Sequence, residues 1–269
     1  MMEAIYGAIC GDIVGSVYEW DNIKTKDFDF FDEFSFFTDD TVMTLAVGWA
    51  LVYCRGNYDN LSDEAIGAMR LFGLRYPHSG YGENFREWLI SDNPEPYNSF
   101  GNGAAMRVSP VAYFAKSLEE VKELSYKVTA VSHNHPEGIK GAEATAVAVY
   151  LSLQGKSKEE IKEYITKNYY TLDFTLDEIR PTYGFKVSCQ DSVPQALEAF
   201  FESTDFEDAI RNAISIGGDS DTIAAICGSV AGAFYGVPDN IKKFALDKLD
   251  DTLREKLAEI EKAYAEKAA

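Results

Sequence analysis

The stretch ISIGGDSDTIAAICGS, residues 214–229, decides the fold. A glycine pair, Gly217 and Gly218, interrupts the chain, Asp219 and Asp221 follow, and small apolar residues then run on to position 235 with almost no polar face. A helix that is apolar all round belongs in a core. The paired carboxylates therefore stand at the mouth of a buried helix, where free backbone amides favour anions. This run (223–237) and a second one (42–54) are shorter than the ~20 residues of a membrane span. Both read as helices inside a folded domain.

Outward from this stretch the helical period recurs. Ile5, Ile9, Ile13 and Val17 fall at four-residue intervals in a first helix over 3–18, with Ala8 and Val14 on the same side. Further helical patterns cover 41–55, 62–75, 104–115, 118–131, 137–153, 157–168, 191–202, 205–215, 221–235 and 239–266. Strand-like alternation is nearly absent. Ser62, Ser117 and Ser157 each precede acidic residues, as helix N-caps do. Loop signals cluster at 21–37, 76–82, 92–103 and 171–190. With no repeat and no flexible linker, the reading is a single all-α domain over residues 1–269.

Composition narrows the partners. Asp plus Glu number 44 against 25 Lys plus Arg, a net charge of −19, which disfavours general nucleic-acid binding. Cys10, Cys54, Cys189 and Cys227 form no C-x-x-C pair and read as reduced core thiols. The N-terminal MMEAIYGAICGDIVGS has no basic leader, so a cytoplasmic protein without a membrane partner is expected. The absence of a heptad seam suggests a monomer, and mixed charge over 239–267 suits a solvated terminal helix.

A second acidic cluster, Thr38, Asp39, Asp40 and Thr41, opens the helix at 41–55 much as Asp219, Asp221 and Thr222 open the one at 221–235. Each could be an ordinary N-cap. Together they hold more carboxylates than capping needs, and gathering them in a partly buried place is costly unless a cation offsets their repulsion. Glu19 is a further acidic candidate at the end of the first helix. Oxygen donors without a His or Cys cluster suit Mg²⁺ or Mn²⁺ better than zinc. Five carboxylates, Glu19, Asp39, Asp40, Asp219 and Asp221, would balance about two divalent ions, provided that the clusters meet in space.

The ordered set GDIVGSVYE, FTDDT, SFGNGAAMRVSP, SHNHPEGIKGAEA and GGDSDTIAAICGSVAGAFYG resembles the ADP-ribosylglycohydrolases, over about residues 3–237. The resemblance implies an all-α orthogonal bundle of that type, with two Mg²⁺ or Mn²⁺ ions in a cleft and cleavage of the bond between the distal ribose of ADP-ribose and its acceptor. By position it implies metal ligands at Thr38, Asp39, Asp40, Asp219, Asp221 and Thr222, and catalysis by Glu19; Asp40 is the second candidate for the acid or base. Ser99, Phe100, Gly101, Asn102 and Gly103 would form the substrate loop. Gly101 and Gly103 let backbone amides approach phosphate, Ser99 and Asn102 add side-chain hydrogen bonds, and Phe100 takes the place of an adenine-stacking ring. His133 would lie near the phosphates or the proximal ribose, or it and His135 are polar loop residues before a helix. The same loop also reads as an ordinary Gly-Asn turn.

The substrate implied is an ADP-ribosylated protein or a small ADP-ribose conjugate, with arginine linkage favoured. Asp12 reads as a structural hydrogen-bonding residue, and Cys189 has no base to activate it. Alternative readings are a dinuclear-metal phosphohydrolase, another nucleoside-conjugate hydrolase, or a non-catalytic ADP-ribose-binding or structural family member.

Overall fold

The computed structural model describes residues 2–268, and the side chains of 2–266, so the two end residues of the expected 1–269 domain lie outside the described residues. The order of elements is α1 (Glu3–Gly15), a 3-10 turn (Ser16–Tyr18), α2 (Asp39–Tyr53), α3 (Leu61–Arg75), α4 (Glu83–Ile90), α5 (Gly103–Met106) and α6 (Val111–Phe114). Next come α7 (Leu118–Thr129), α8 (Pro136–Leu153), α9 (Lys158–Asn168), α10 (Leu176–Ile179) and α11 (Cys189–Phe201). The chain ends in α12 (Phe206–Ser215), α13 (Ser220–Tyr235), α14 (Asp239–Lys248) and α15 (Asp251–Ala268). Among the described residues there is no strand beyond one isolated bridge, Gly101 to Ser188. The protein is an all-α bundle.

α1 and α13 form its axis and are buried almost throughout. They run antiparallel with backbones in contact, which their glycines and alanines permit. A Cβ added at Gly7 would lie 2.0 Å from the carbonyl oxygen of Gly228, and one at Gly11 would lie 2.0 Å from that of Ala224. At Gly15 it would fall 2.6 Å from the Cα of Asp221. The end of α1 is thus held against the start of α13, where the acidic pair sits.

Several sequence expectations change in the fold. The helix expected over 104–115 divides into α5 and α6, because Pro110 supplies no amide and disfavours helical geometry in the residue before it. The one expected over 239–266 divides at Leu249, whose backbone is extended, and Asp250 restarts it by accepting from the Leu253 amide at 2.8 Å. Between the loop signals at 76–82 and 92–103, where no helix is expected, the chain forms α4, whose Phe85, Trp88 and Leu89 are buried. The loop at 171–190 contains α10, closed by a capping box of Thr175 and Glu178. Ser62 caps nothing. Its helix begins at the fully buried Leu61, and the hydroxyl donates to the Lys127 carbonyl at 3.1 Å. Ser117 and Ser157 cap α7 and α9 as expected. Cys10, Cys189 and Cys227 are buried free thiols, and Cys54 is half-buried.

Candidate active site

The site is assembled from three helix ends. Gly217 and Gly218 turn the chain into α13 with φ of +69° and +82°, a conformation that side chains disfavour. Asn22 clasps this turn: its amide nitrogen donates to the Gly218 carbonyl at 2.9 Å and its oxygen accepts from the Gly218 amide at 2.7 Å. The same nitrogen reaches the carbonyls of Tyr18 and Glu19, both at 2.8 Å, so the Glu19 segment is fastened to the Asp219 turn. Lys24 adds bonds to the Ile216 and Tyr183 carbonyls.

Asp12, fully buried in α1, organises the start of α2. It accepts from the amide and hydroxyl of Thr38, at 3.0 and 2.7 Å, and from the amide and hydroxyl of Thr41, the amide at 3.0 Å. Capping of α2 is thereby met by Asp12 together with Thr38, whose hydroxyl accepts from the Asp40 amide at 3.3 Å. The Asp39 and Asp40 carboxylates are surplus to it. Across 182 positions of sequence, the Thr222 hydroxyl donates to Asp40 Oδ2 at 3.1 Å, so the two acidic clusters meet.

Carboxylate oxygens of Asp12, Asp40 and Asp221 lie within 4.8 Å of one another, and so do those of Glu19, Asp219 and Asp221. Asp221 belongs to both groups. Asp39 is in neither; its amide donates to the Ser79 carbonyl at 2.6 Å while its side chain faces the cleft. Burial, reinforced by neighbouring carboxylates, pushes the acids of Asp39, Asp40 and Asp221 well above the ordinary carboxylate range. Burial raises Asp219 too, against the opposing hydrogen bond from Asn102. Glu19 is pushed up to about 7 by burial and then by the charge of Asp219. Asp40 Oδ1 is buried without a hydrogen-bond partner. A hard divalent cation fits this donor set, because it relieves the repulsion and uses the orphaned oxygen.

These groups open onto a cleft of about 590 Å³. Glu19, Thr38, Asp39, Asp40, Asp219, Asp221 and Thr222 lie at one part of its wall; Ser99, Gly101, Asn102, Gly103 and His133 line it as well. The loop differs in detail from its sequence reading. The Gly101 amide, expected to face phosphate, donates to Ser99 Oγ at 3.1 Å. Asn102 is buried, and its side-chain nitrogen donates to Asp219 Oδ2 at 2.7 Å and Ser192 Oγ at 3.1 Å, which ties the loop to the carboxylates. The exposed Phe100 ring packs edge-on against His135 at 5.2 Å and is not among the residues lining the cleft. His135 caps α8 by accepting from the Glu137 amide. His133 is buried, and burial with the nearby Arg107 charge holds its imidazole well below the usual pKa.

Sequence reasoning passed over Asn22, Tyr97, Arg107, Trp20 and Phe185, all but Asn22 on the cleft wall. Arg107 carried a signal, a lone cation directly after the apolar Ala-Ala-Met of a short helix. Asn22 carried none, since its role depends on a turn 196 positions away.

Fold and site together define a class: helical proteins that gather acids from several helix ends at one cleft, beside a glycine-rich loop. The family model described as ADP-ribosylglycohydrolase matches residues 1–269, and the chain belongs to that family. It is 28% identical to the ADP-ribosylhydrolase ARH3 of Homo sapiens over 310 aligned positions, covering 86% of this chain and 84% of that protein. It is 31% identical to the ADP-ribosylarginine hydrolase Tri1 of Pseudomonas putida over 160 positions, 54% of this chain and 42% of that one. An uncharacterized protein of Archaeoglobus fulgidus is 36% identical over 157 positions; the match spans 51% of this chain and half of the archaeal one. A solved structure, an ADP-ribosylglycohydrolase-related protein complex, shares the fold with a TM-score of 0.69, 21% identity and 98% coverage of both chains. Among the described residues no helix is long and apolar enough to cross a membrane.

Proposed function

We propose that this chain is a cytoplasmic, monomeric, Mg²⁺- or Mn²⁺-dependent hydrolase that removes ADP-ribose from an acceptor, with arginine-linked protein substrates favoured. The observation that carries the reading is the convergence of Asp40 and Thr222 at 3.1 Å, with Asp221 common to two carboxylate groups. Thr38, Asp39, Asp40, Asp219, Asp221 and Thr222 would hold two ions. Such a pair supplies positive charge for the ribose hydroxyls and for a water molecule.

The chain's own groups divide the remaining work. Glu19, with its carboxyl near neutrality, suits proton exchange: it accepts a proton from the attacking water and returns one to the departing acceptor. Water oxygen bonds to the anomeric carbon as the bond from that carbon to the acceptor breaks. The surrounding carboxylates favour the cationic character that develops on the sugar. Ser99, Gly101, Asn102, Gly103 and His133 line the cleft beside these acids and would hold the diphosphate part of the ligand.

The test replaces Asp219 and Asp221 by Ala and follows Mn²⁺ binding together with ADP-ribose release from arginine-, serine- and nucleic-acid-linked substrates. The expected result is a loss of about 100-fold or more in both. Unchanged binding and turnover would refute the site, and release of inorganic phosphate in place of ADP-ribose would transfer the chemistry to a phosphohydrolase.

A further inference from the structure

His133 presents two ring nitrogens to different surroundings. Nδ1 lies 2.8 Å from Ser132 Oγ and 3.4 Å from Arg107 Nη2. Ser132 Oγ in turn accepts from Arg107 Nη2 at 2.7 Å. Nε2 is on the cleft side, between the two glycines of the loop: a Cβ built on Gly101 would stand 3.5 Å from it, and one on Gly103 3.4 Å. Among the described residues no protein acceptor is hydrogen-bonded to Nε2.

Arg107 is an unusual neighbour for this ring. It is 1% exposed, forms no ion pair among the described residues, leaves its buried Nε without a partner, and is flanked by the Phe85 ring 5.2 Å away. A guanidinium carries donors only. A proton on Nδ1 would face that cation and its N–H groups, whereas a lone pair there accepts from the Ser132 hydroxyl and is favoured by the positive charge. The Ser132 oxygen, already accepting from Arg107, has its own hydrogen available for Nδ1. Every contact on this side therefore selects the same tautomer.

We propose that Arg107 and Ser132 are positioning residues which keep His133 neutral with its proton on Nε2, so that the ring enters the cleft as a hydrogen-bond donor to a phosphate or hydroxyl oxygen of the ligand. This assignment rests on the proposed ADP-ribose chemistry only for the identity of the acceptor oxygen. It gives His133 the role of a neutral donor, as distinct from a cation or a general base. Sequence spacing does not reveal it, because Arg107 lies 26 positions from His133.

The experiment is nitrogen-15 NMR of the histidine side chains in the full-length protein at pH 7, with free ADP-ribose as the titrant. The expected spectrum of the wild-type protein shows an unprotonated, pyridine-like Nδ1 and a protonated, pyrrole-like Nε2 for His133, the Nε2 proton moving downfield when ADP-ribose is added. Ser132→Ala, which removes one atom, and Arg107→Met should each introduce the Nδ1-protonated form and weaken ADP-ribose binding by about tenfold. A protonated Nδ1 in the wild type, or spectra that neither variant alters, would overturn the assignment. Should the tautomer be as stated while no ADP-ribosyl linkage is cleaved, the positioning pair stands and the proposed enzymatic activity falls.

Discussion

The α1–α13 pair behaves in opposite ways along its length. In the seam, Gly7 meets Gly228 and Gly11 meets Ala224 so closely that no side chain fits between them, and the surroundings are apolar and complete. At the mouth, where Gly15 touches Asp221, the same two helices and α2 bring together acids whose burial and mutual repulsion drive them toward the protonated form. One region is satisfied by the chain itself; the other is left short of positive charge. The seam places the acids on rigid elements, and this rigidity lets an unfavourable cluster persist for a ligand to complete.

The comparison can be broken first at the seam. Gly11→Ala puts a Cβ 2.0 Å from the Ala224 carbonyl oxygen, so the helices must separate. The expected cost is about 3 kcal/mol or more, read as a fall in the urea midpoint, with activity lost alongside stability. An unaltered midpoint would show that the close approach is not needed.

At the mouth the effects should separate from stability. Asn102→Ala removes the donor to Asp219 and unties the loop from the acids, and a tenfold or so loss of Mn²⁺ affinity is expected from isothermal titration. Asp221→Asn goes further in the same direction: turnover disappears, yet the chelated protein gains about 1 kcal/mol in urea unfolding because a buried acid that can ionise only against its neighbours is gone. A loss of stability in that variant would mean the acids are already balanced within the chain.

The smallest effect is in pH. Glu19 holds its proton up to about pH 7 in the folded protein, against an ordinary value of 4.5. Between those values the folded state binds more protons than the unfolded one, so stability of the chelated protein falls as pH rises from 4.5 through 7. Partial exposure of the carboxyl mutes the slope. Added Mn²⁺ should flatten or reverse it, as thermal melts at several pH values would show.

Much of this was legible in advance. The all-helical fold followed from the period of the apolar residues, and the acids of both clusters were identifiable because each exceeds what a cap requires. The spacing of Gly7, Gly11 and Gly15, four residues apart, is a signal of the seam that the sequence reading did not use. Other features were not legible locally. Asn102 looks like a free polar side chain in a glycine loop, yet both of its amide bonds are committed to Asp219 and Ser192. Phe100 looks like a stacking ring, yet it packs on His135.

By itself, the sequence determined most of the helical segments, though not α4 or α10 or the breaks before α6 and α15, together with two buried runs and the oxygen donors at their starts, since periodicity and capping are local matters of sterics and hydrogen bonding. Only the tertiary structure decided that Asp40 meets Thr222, that Asp12 is consumed in bonding Thr38 and Thr41, and that Arg107 faces His133. Those pairings depend on how closely two glycine-lined helices approach, a distance that no single segment encodes.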